Sequence, residues 1–249
     1  RSLGSPQNRY GHSSSLIAYQ SMLFVQYDQL EGSKLLALDT GTGNVIWELQ
    51  RPVEGSWATP VIVPTGGRHE LILNSNPWVI AYEPNTGKEL WKTDCMSGDV
   101  APSPAYAGGL TFVTSQYACL AAIDNLSKRV LWKLEAGDWP DVSSPLATTK
   151  YVFVSNGIGQ LTCYQARTGQ MLWQQEFEHG FYASPILAGD RIYLMDRSGI
   201  MHILKAGPQY QRLAEPALGE PSSATPAFWN GRIYIRGENN LYCIGVKDP

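Results

Sequence analysis

Four tryptophans, Trp47, Trp91, Trp132 and Trp173, recur 44, 41 and 41 residues apart. Each closes nearly the same phrase: ALDTGTGNVIW, AYEPNTGKELW, AIDNLSKRVLW and CYQARTGQMLW. A second marker, a small hydroxyl residue followed by proline, runs in phase with the first. It stands at Thr59-Pro60, Ser103-Pro104, Ser144-Pro145, Ser184-Pro185 and Thr225-Pro226. Two markers sharing a period of about 40 residues define an internal repeat, which limits the chain to architectures that stack one supersecondary unit.

Each period carries four short β signals. The first follows the hydroxyl-proline marker (PVIV, PAYA, PLAT, PILA, PAFW), and the second is β-branched and aromatic (MLFVQ, LILN, LTFVT, YVFVS, IYLM, IYIR). The third comprises LLALD, VIAYE, LAAID, LTCYQ, MHILK and LYCIG, and the fourth holds the tryptophan. Runs of four to six such residues between Gly, Asn and Asp clusters read as strands. Between the third and fourth, a Gly in TGN or TGK supplies the positive φ of a tight hairpin. Asp39 and Asp124 are placed to accept the turn's own amides, and Thr86 and Thr168 to do so more weakly. One four-stranded sheet cannot cover the tryptophan ring, whereas the next sheet stacked against it can. The expected fold is all-β: a β-propeller of four-stranded antiparallel blades.

The pattern A-x-D-x-x-T-G-x-x-x-W, with Ser-Pro opening the next strand, resembles the pyrroloquinoline-quinone-like (PQQ-like) propeller repeat. That repeat occurs in quinoprotein dehydrogenases, in the outer-membrane assembly lipoprotein BamB and in many exported bacterial proteins. The resemblance covers essentially the whole chain and implies the fold far more than a function, since the motif residues are scaffold parts. Six repeats are expected in one domain spanning 1–249, at about 13–56, 57–100, 101–141, 142–181, 182–222 and 223–249. The later ones depart from the pattern. Gln165 replaces the acidic residue of the fourth, the fifth has Lys205 there and Leu213 where Trp is expected, and the sixth stops at LYCIGVKDP. The chain then reads either as a six-bladed ring or as part of a larger, eight-bladed one. In either case residues 1–4 are the only remnant able to pair with LYCIG, and an uncovered edge invites self-association.

Little in the chain signals chemistry. The formal net charge is −3 with no basic cluster, so a nucleic-acid partner is not expected. No apolar run reaches transmembrane length, and the N-terminal RSLGSPQNRYGH has no apolar signal-peptide core. Cys95, Cys119, Cys163 and Cys243 form no CxxC and no adjacent pair, and read as buried, inert thiols. There is no G-x-S-x-G, H-E-x-x-H or phosphate loop, and the four His fall at unrelated repeat positions. The quinone enzymes that share the repeat add a calcium-binding acidic set, a stacking Trp and usually a vicinal disulfide. This chain has no Cys-Cys, so no cofactor, metal or catalytic residue is expected.

What remains is a binding face. In a propeller the loops between blades and the loops between second and third strands share one face. Those loops supply His12, Trp57, Asn76, Trp78, Trp139, Asp141, Phe181, Tyr182, Asp196, Arg197, Arg236 and Glu238 as candidate partner-binding residues. Aromatics beside amides and charges suit a protein, peptide or glycan. Trp229, inside an expected strand, reads instead as filling or covering the scaffold. The expected function is a non-catalytic binding or assembly scaffold. The alternatives are a ligand-sensing domain of a larger polypeptide and a quinone-dependent oxidoreductase. By resemblance to the family the compartment is periplasmic or cell-surface.

Overall fold

A computed structural model of the protein describes residues 3–245. The described residues contain 23 strands and no helix, and the chain divides into two compact units, residues 1–141 and 142–249. The division falls at a boundary between two of the expected repeats.

Unit 1 holds three four-stranded antiparallel meanders. The first comprises β1 (Ile17–Tyr19), β2 (Met22–Tyr27), β3 (Lys34–Asp39) and β4 (Val45–Gln50), and the second β5 (Val61–Thr65), β6 (Arg68–Asn74), β7 (Trp78–Tyr82) and β8 (Glu89–Asp94). The third comprises β9 (Ala105–Ala107), β10 (Leu110–Thr114), β11 (Leu120–Asp124) and β12 (Arg129–Leu134). In unit 2 the fourth blade comprises β13 (Leu146–Ala147), β14 (Tyr151–Ser155), β15 (Gln160–Gln165) and β16 (Met171–Glu176). The fifth comprises β17 (Ile186–Ala188), β18 (Arg191–Met195), β19 (Met201–Lys205) and β20 (Arg212–Ala214). The sixth has three strands, β21 (Ala227–Trp229), β22 (Arg232–Arg236) and β23 (Leu241–Gly245). The four residues after Gly245 and the first two of the chain lie outside the described residues, and with them half of the four-residue segment expected to pair with LYCIG. Leu3 packs on Val25, Tyr27 and Leu36 of the first blade.

The central strands are apolar without alternation because both of their faces are covered. Between blades 1 and 2 lie Phe24, Leu35, Leu71, Leu73 and Ile80; between blades 2 and 3 lie Ile72, Val79, Val113 and Ile123. In unit 2, Phe153, Leu161, Ile192, Leu194 and Leu204 fill the space between blades 4 and 5.

The recurring phrase has a local cause. Asp39 Oδ1 accepts the Gly41 and Thr42 amides at 3.1 and 2.8 Å, and the Gly43 amide closes the turn on the Asp39 carbonyl at 2.8 Å. Gln165, expected to depart from the pattern, does the same work, its Oε1 accepting the Thr168 amide and hydroxyl at 2.8 and 2.7 Å. Five blades carry a β-bulge at one register position, next to the residue that pairs with the tryptophan: Ala37↔Trp47 is followed by Leu38↔Val45, skipping Ile46. In the fifth blade Ile203 pairs with Ala214 and Leu204 with Arg212. Ala214, not Leu213, therefore occupies the tryptophan register, and Leu213 is the bulged residue.

The hydroxyl-proline marker also has a physical role. The Ser15 amide donates to Thr59 Oγ1 at 3.0 Å and the Thr59 amide to Ser103 Oγ at 2.9 Å. In unit 2 the Ser144 amide donates to Ser184 Oγ and the Ser184 amide to Thr225 Oγ1, both at 2.9 Å. Each hydroxyl satisfies an amide of the preceding blade, so only a residue with a short side-chain acceptor serves there.

Candidate functional site

In unit 1 the expected loop aromatics are mostly covered. Trp57 is 9% exposed; its Nε1 donates to the Gly11 carbonyl at 2.9 Å and Tyr10 lies against the ring. Trp139 is 6% exposed and folds back over Gly137, where an added Cβ would meet the ring at 2.7 Å. Both were expected as binding aromatics. Both are packed instead: the N-terminal segment at Tyr10 and Gly11 covers Trp57, and Trp139 lies back on its own loop. Trp78 is half-buried on β7 with the Lys92 ammonium 5.0 Å from its ring, and Asn76 Nδ2 donates to Glu54 Oε2 at 2.7 Å. His12 is exposed beside Tyr27, and Asp141 is half-buried. Beneath them lies a network the sequence did not announce. Buried Asp28 pairs with buried Arg51, and Asp28 Oδ2 also accepts Gln26 Nε2, Ser56 Oγ and Ser75 Oγ at 2.7–2.8 Å. Every donor there comes from the scaffold, so the network ties blades 1 and 2 together.

Unit 2 brings several of the expected residues together. The loop from Glu176 to Tyr182, joining blades 4 and 5, separates two clefts. One, of about 330 Å³, is lined by Glu178, His179, Arg197, Ser198, Ser223 and Glu238. Arg197 is exposed and its guanidinium lies 4.5 Å from the centre of the Tyr182 ring. Stacking on the ring holds a long charged side chain without burying the charge. The Arg197 amide donates to the Gly180 carbonyl at 3.0 Å and the Glu238 amide to the Pro221 carbonyl at 3.1 Å, so both side chains spring from fixed backbone. Arg236 is exposed, its carbonyl accepting Ser222 Oγ at 2.8 Å.

The second cleft, of about 360 Å³, includes Phe177, Glu178, His179, His202, Tyr210 and Glu215 in its wall. Its floor is His202, whose Nε2 lies 3.0 Å from Asp196 Oδ2 and Nδ1 3.1 Å from Glu215 Oε1. Asp196 is 1% exposed. Its Oδ1 accepts the Ser198 and Ile200 amides, both at 2.9 Å, which shapes the turn from β18 to β19. Burial acts to raise the Asp196 pKa, but these amides, Ser198 and His202 outweigh it and hold the carboxyl below its usual range. Asp196 is therefore an organiser of the loop under the cleft. Phe181 is fully buried and packs edge-on against Phe177, so its expected place on the binding face is corrected: it belongs to the core between blades 4 and 5. Sequence reasoning missed Glu178, His179, His202 and Glu215. The histidines lacked repeat equivalents, and that very departure from the repeat was the available signal. Among the described residues no group of three His, Cys, Asp or Glu side chains is arranged to hold a metal ion.

The blades, bulges and inter-blade hydroxyl contacts define a β-propeller protein, and unit 2 carries two loop clefts with charged residues in their walls. The family model described as outer membrane protein assembly factor BamB matches residues 31–148 and 140–206, more than half of the chain, and the chain belongs to that family. The outer membrane protein assembly factor BamB of Yersinia pestis is 24% identical over 233 residues, covering 88% of this chain and 58% of the relative. That of Shewanella oneidensis is 22% identical over 185 residues, covering 67% and 46%. The chain thus spans about half the length of the curated relatives it matches. Among solved structures, BamB from Moraxella catarrhalis superposes with a TM-score of 0.76 at 18% identity, over 94% of this chain and 72% of that one. At that identity the likeness concerns the fold.

Proposed function

We propose that the chain is a non-catalytic scaffold of outer membrane protein assembly that holds a protein partner at the two clefts of unit 2. The reading rests on one observation: Arg197, held on Tyr182, and Glu238 present opposite exposed charges at a cleft wide enough for side chains of a polypeptide. Fixed charges of both signs favour a partner edge of complementary pattern and reject others by desolvation and repulsion. Family membership supports the process, and with it a compartment that is periplasmic or cell-surface. Against a glycan platform, the loop tryptophans Trp57 and Trp139 are covered, while Trp229, expected to fill or cover the scaffold, is 75% exposed but, among the described residues, stands alone at the end of β21.

The test is site-specific photocrosslinking in cells, using the full-length protein with a crosslinking residue at 197 or 238, and at 92 as a control. Protein adducts at 197 and 238, absent at 92 and lost on charge reversal of the other cleft residue, are the expected result. Adducts equal at all three positions, or none, overturn the reading.

A further inference from the structure

Cys95 follows β8 of blade 2 and Cys119 precedes β11 of blade 3, 24 residues further along the chain. Both are buried, in the apolar cluster that also holds Met96, Val100 and Val113. Cys119 Sγ lies 3.1 Å from the Cys95 carbonyl oxygen, and each thiol shifts the titration of the other. The other two cysteines are placed differently. Cys163 Sγ faces the Gly207 carbonyl at 3.7 Å, and Cys243 is exposed on β23, against the expectation of a buried thiol.

We propose that Cys95 and Cys119 are a disulfide site that staples blade 2 to blade 3. Their contact comes from blade stacking, since 24 residues and a blade boundary separate them, so the bond would close across the seam rather than within a hairpin. The chemistry is thiol–disulfide exchange with a disulfide donor. The thiolate of one of the two cysteines attacks the donor's S–S bond, a mixed disulfide forms, and one donor thiolate leaves and takes up a proton. The other cysteine's sulfur, losing its proton, then attacks the protein sulfur of the mixed disulfide and expels the second donor thiolate. Two protein thiols are oxidised and one donor disulfide is reduced to two thiols.

In the closed seam the two thiols are biased in opposite directions. The neighbouring Cys95 lowers the Cys119 pKa, burial opposes this, and Lys133 on β12 favours the thiolate while Glu135 disfavours it. Cys119 and burial push the Cys95 thiol up. Because both sulfurs are buried, exchange requires the seam to be open, as it is during folding.

The inference stands apart from the proposed docking role and is tested without a partner. Reduced protein is unfolded, refolded in a mixture of reduced and oxidised glutathione, alkylated under denaturing conditions and mapped by mass spectrometry. The expected product has two fewer alkylated cysteines than a sample kept in reductant, with one crosslinked peptide pair containing Cys95 and Cys119. Closing a loop of this length raises the melting temperature by about 5–10 °C over the reduced protein. Cys119→Ser is expected to refold with neither crosslink nor rise. Four alkylated cysteines after oxidative refolding, a bridge through Cys163 or Cys243, or a crosslinked form without cooperative melting would overturn the proposal. The wild-type peptide map decides the matter even if the variant does not fold.

Discussion

At the seam between blades 1 and 2, Trp47 lies across the turn of the next blade: its Nε1 donates to the Pro84 carbonyl at 3.0 Å, and Gly87 sits beneath the ring. At the seam between blades 2 and 3, the register position of Gly87 is filled by Lys128. Both residues have the left-handed backbone, φ 71° and 64°. A Cβ on Gly87 would fall 2.8 Å from Leu49 and 2.9 Å from Trp47, so any other residue there must displace these side chains as well as hold the left-handed backbone. Lys128 is tolerated because Trp91 is held elsewhere. Its Nε1 donates to Glu70 Oε2 at 2.8 Å, and the Lys128 ammonium reaches Glu70 Oε1 at 2.6 Å across the seam. Glu70 stands in the register of Met22. A buried carboxylate and a lysine thus replace a methionine and a glycine as a pair. Repeats copy the backbone, and each seam then solves its own packing, since a change on one blade is viable only with its counterpart on the next.

The largest expected effect comes from emptying either seam. Trp91→Ala costs about 3–5 kcal/mol of unfolding free energy, from the cavity and from a buried carboxylate deprived of a donor. Trp47→Ala falls toward the lower end of that range, because only a carbonyl loses its partner. Chemical denaturation of both variants measures the gap, and the reverse order would undo the contrast. Next in size, Gly87→Lys, which writes one seam's residue into the other, costs about 3 kcal/mol through left-handed strain and displacement of the ring. A neutral outcome would mean that the Trp47 ring does not press on this turn.

A sharper version uses the pair itself. Lys128→Gly and Glu70→Met each cost about 1–2 kcal/mol, while the double variant, which recreates the chemistry of the first seam, stays within about 0.5 kcal/mol of wild type. Simple additivity in the cycle would show that the two positions are not coupled. The smallest effect is on the acid limb. Burial alone would raise the Glu70 pKa, but Lys128, Trp91 and Arg68 hold it below its ordinary 4.5. Its stabilisation is therefore complete above that value and is lost as pH falls through the lowered folded-state value. Melting temperature followed from pH 6 to 3 falls less steeply for Glu70→Met, in a window of about two pH units; parallel curves would count against the assignment.

Legibility in the sequence followed the range of the interaction. The turn of each phrase was readable because Asp39 bonds amides two and three residues away. The bulge was not, because it shows only when β3 and β4 are paired. Nor was the longer hairpin of the fifth blade, closed by the Lys205 amide on the Gln211 carbonyl, which made Leu213 look like a failed tryptophan while Ala214 held the register. In the candidate site, Arg197 and Glu238 were legible as charges in loops, whereas the covering of Trp57 and Trp139 and the burial of Phe181 were not. A loop aromatic and a core aromatic have the same local sequence, and neighbours from other strands decide between them.

The sequence by itself determined the four-stranded blade, its period and its hairpin chemistry, because all of these are satisfied within about 40 residues of chain. Tertiary structure alone decided which side chains of different repeats meet. It gave Glu70 to Lys128 and set the Cys119 thiol against the Cys95 backbone. Stacking pairs positions whose separation along the chain carries no periodic signal, and the partner's identity is felt only once the surface between them is dry.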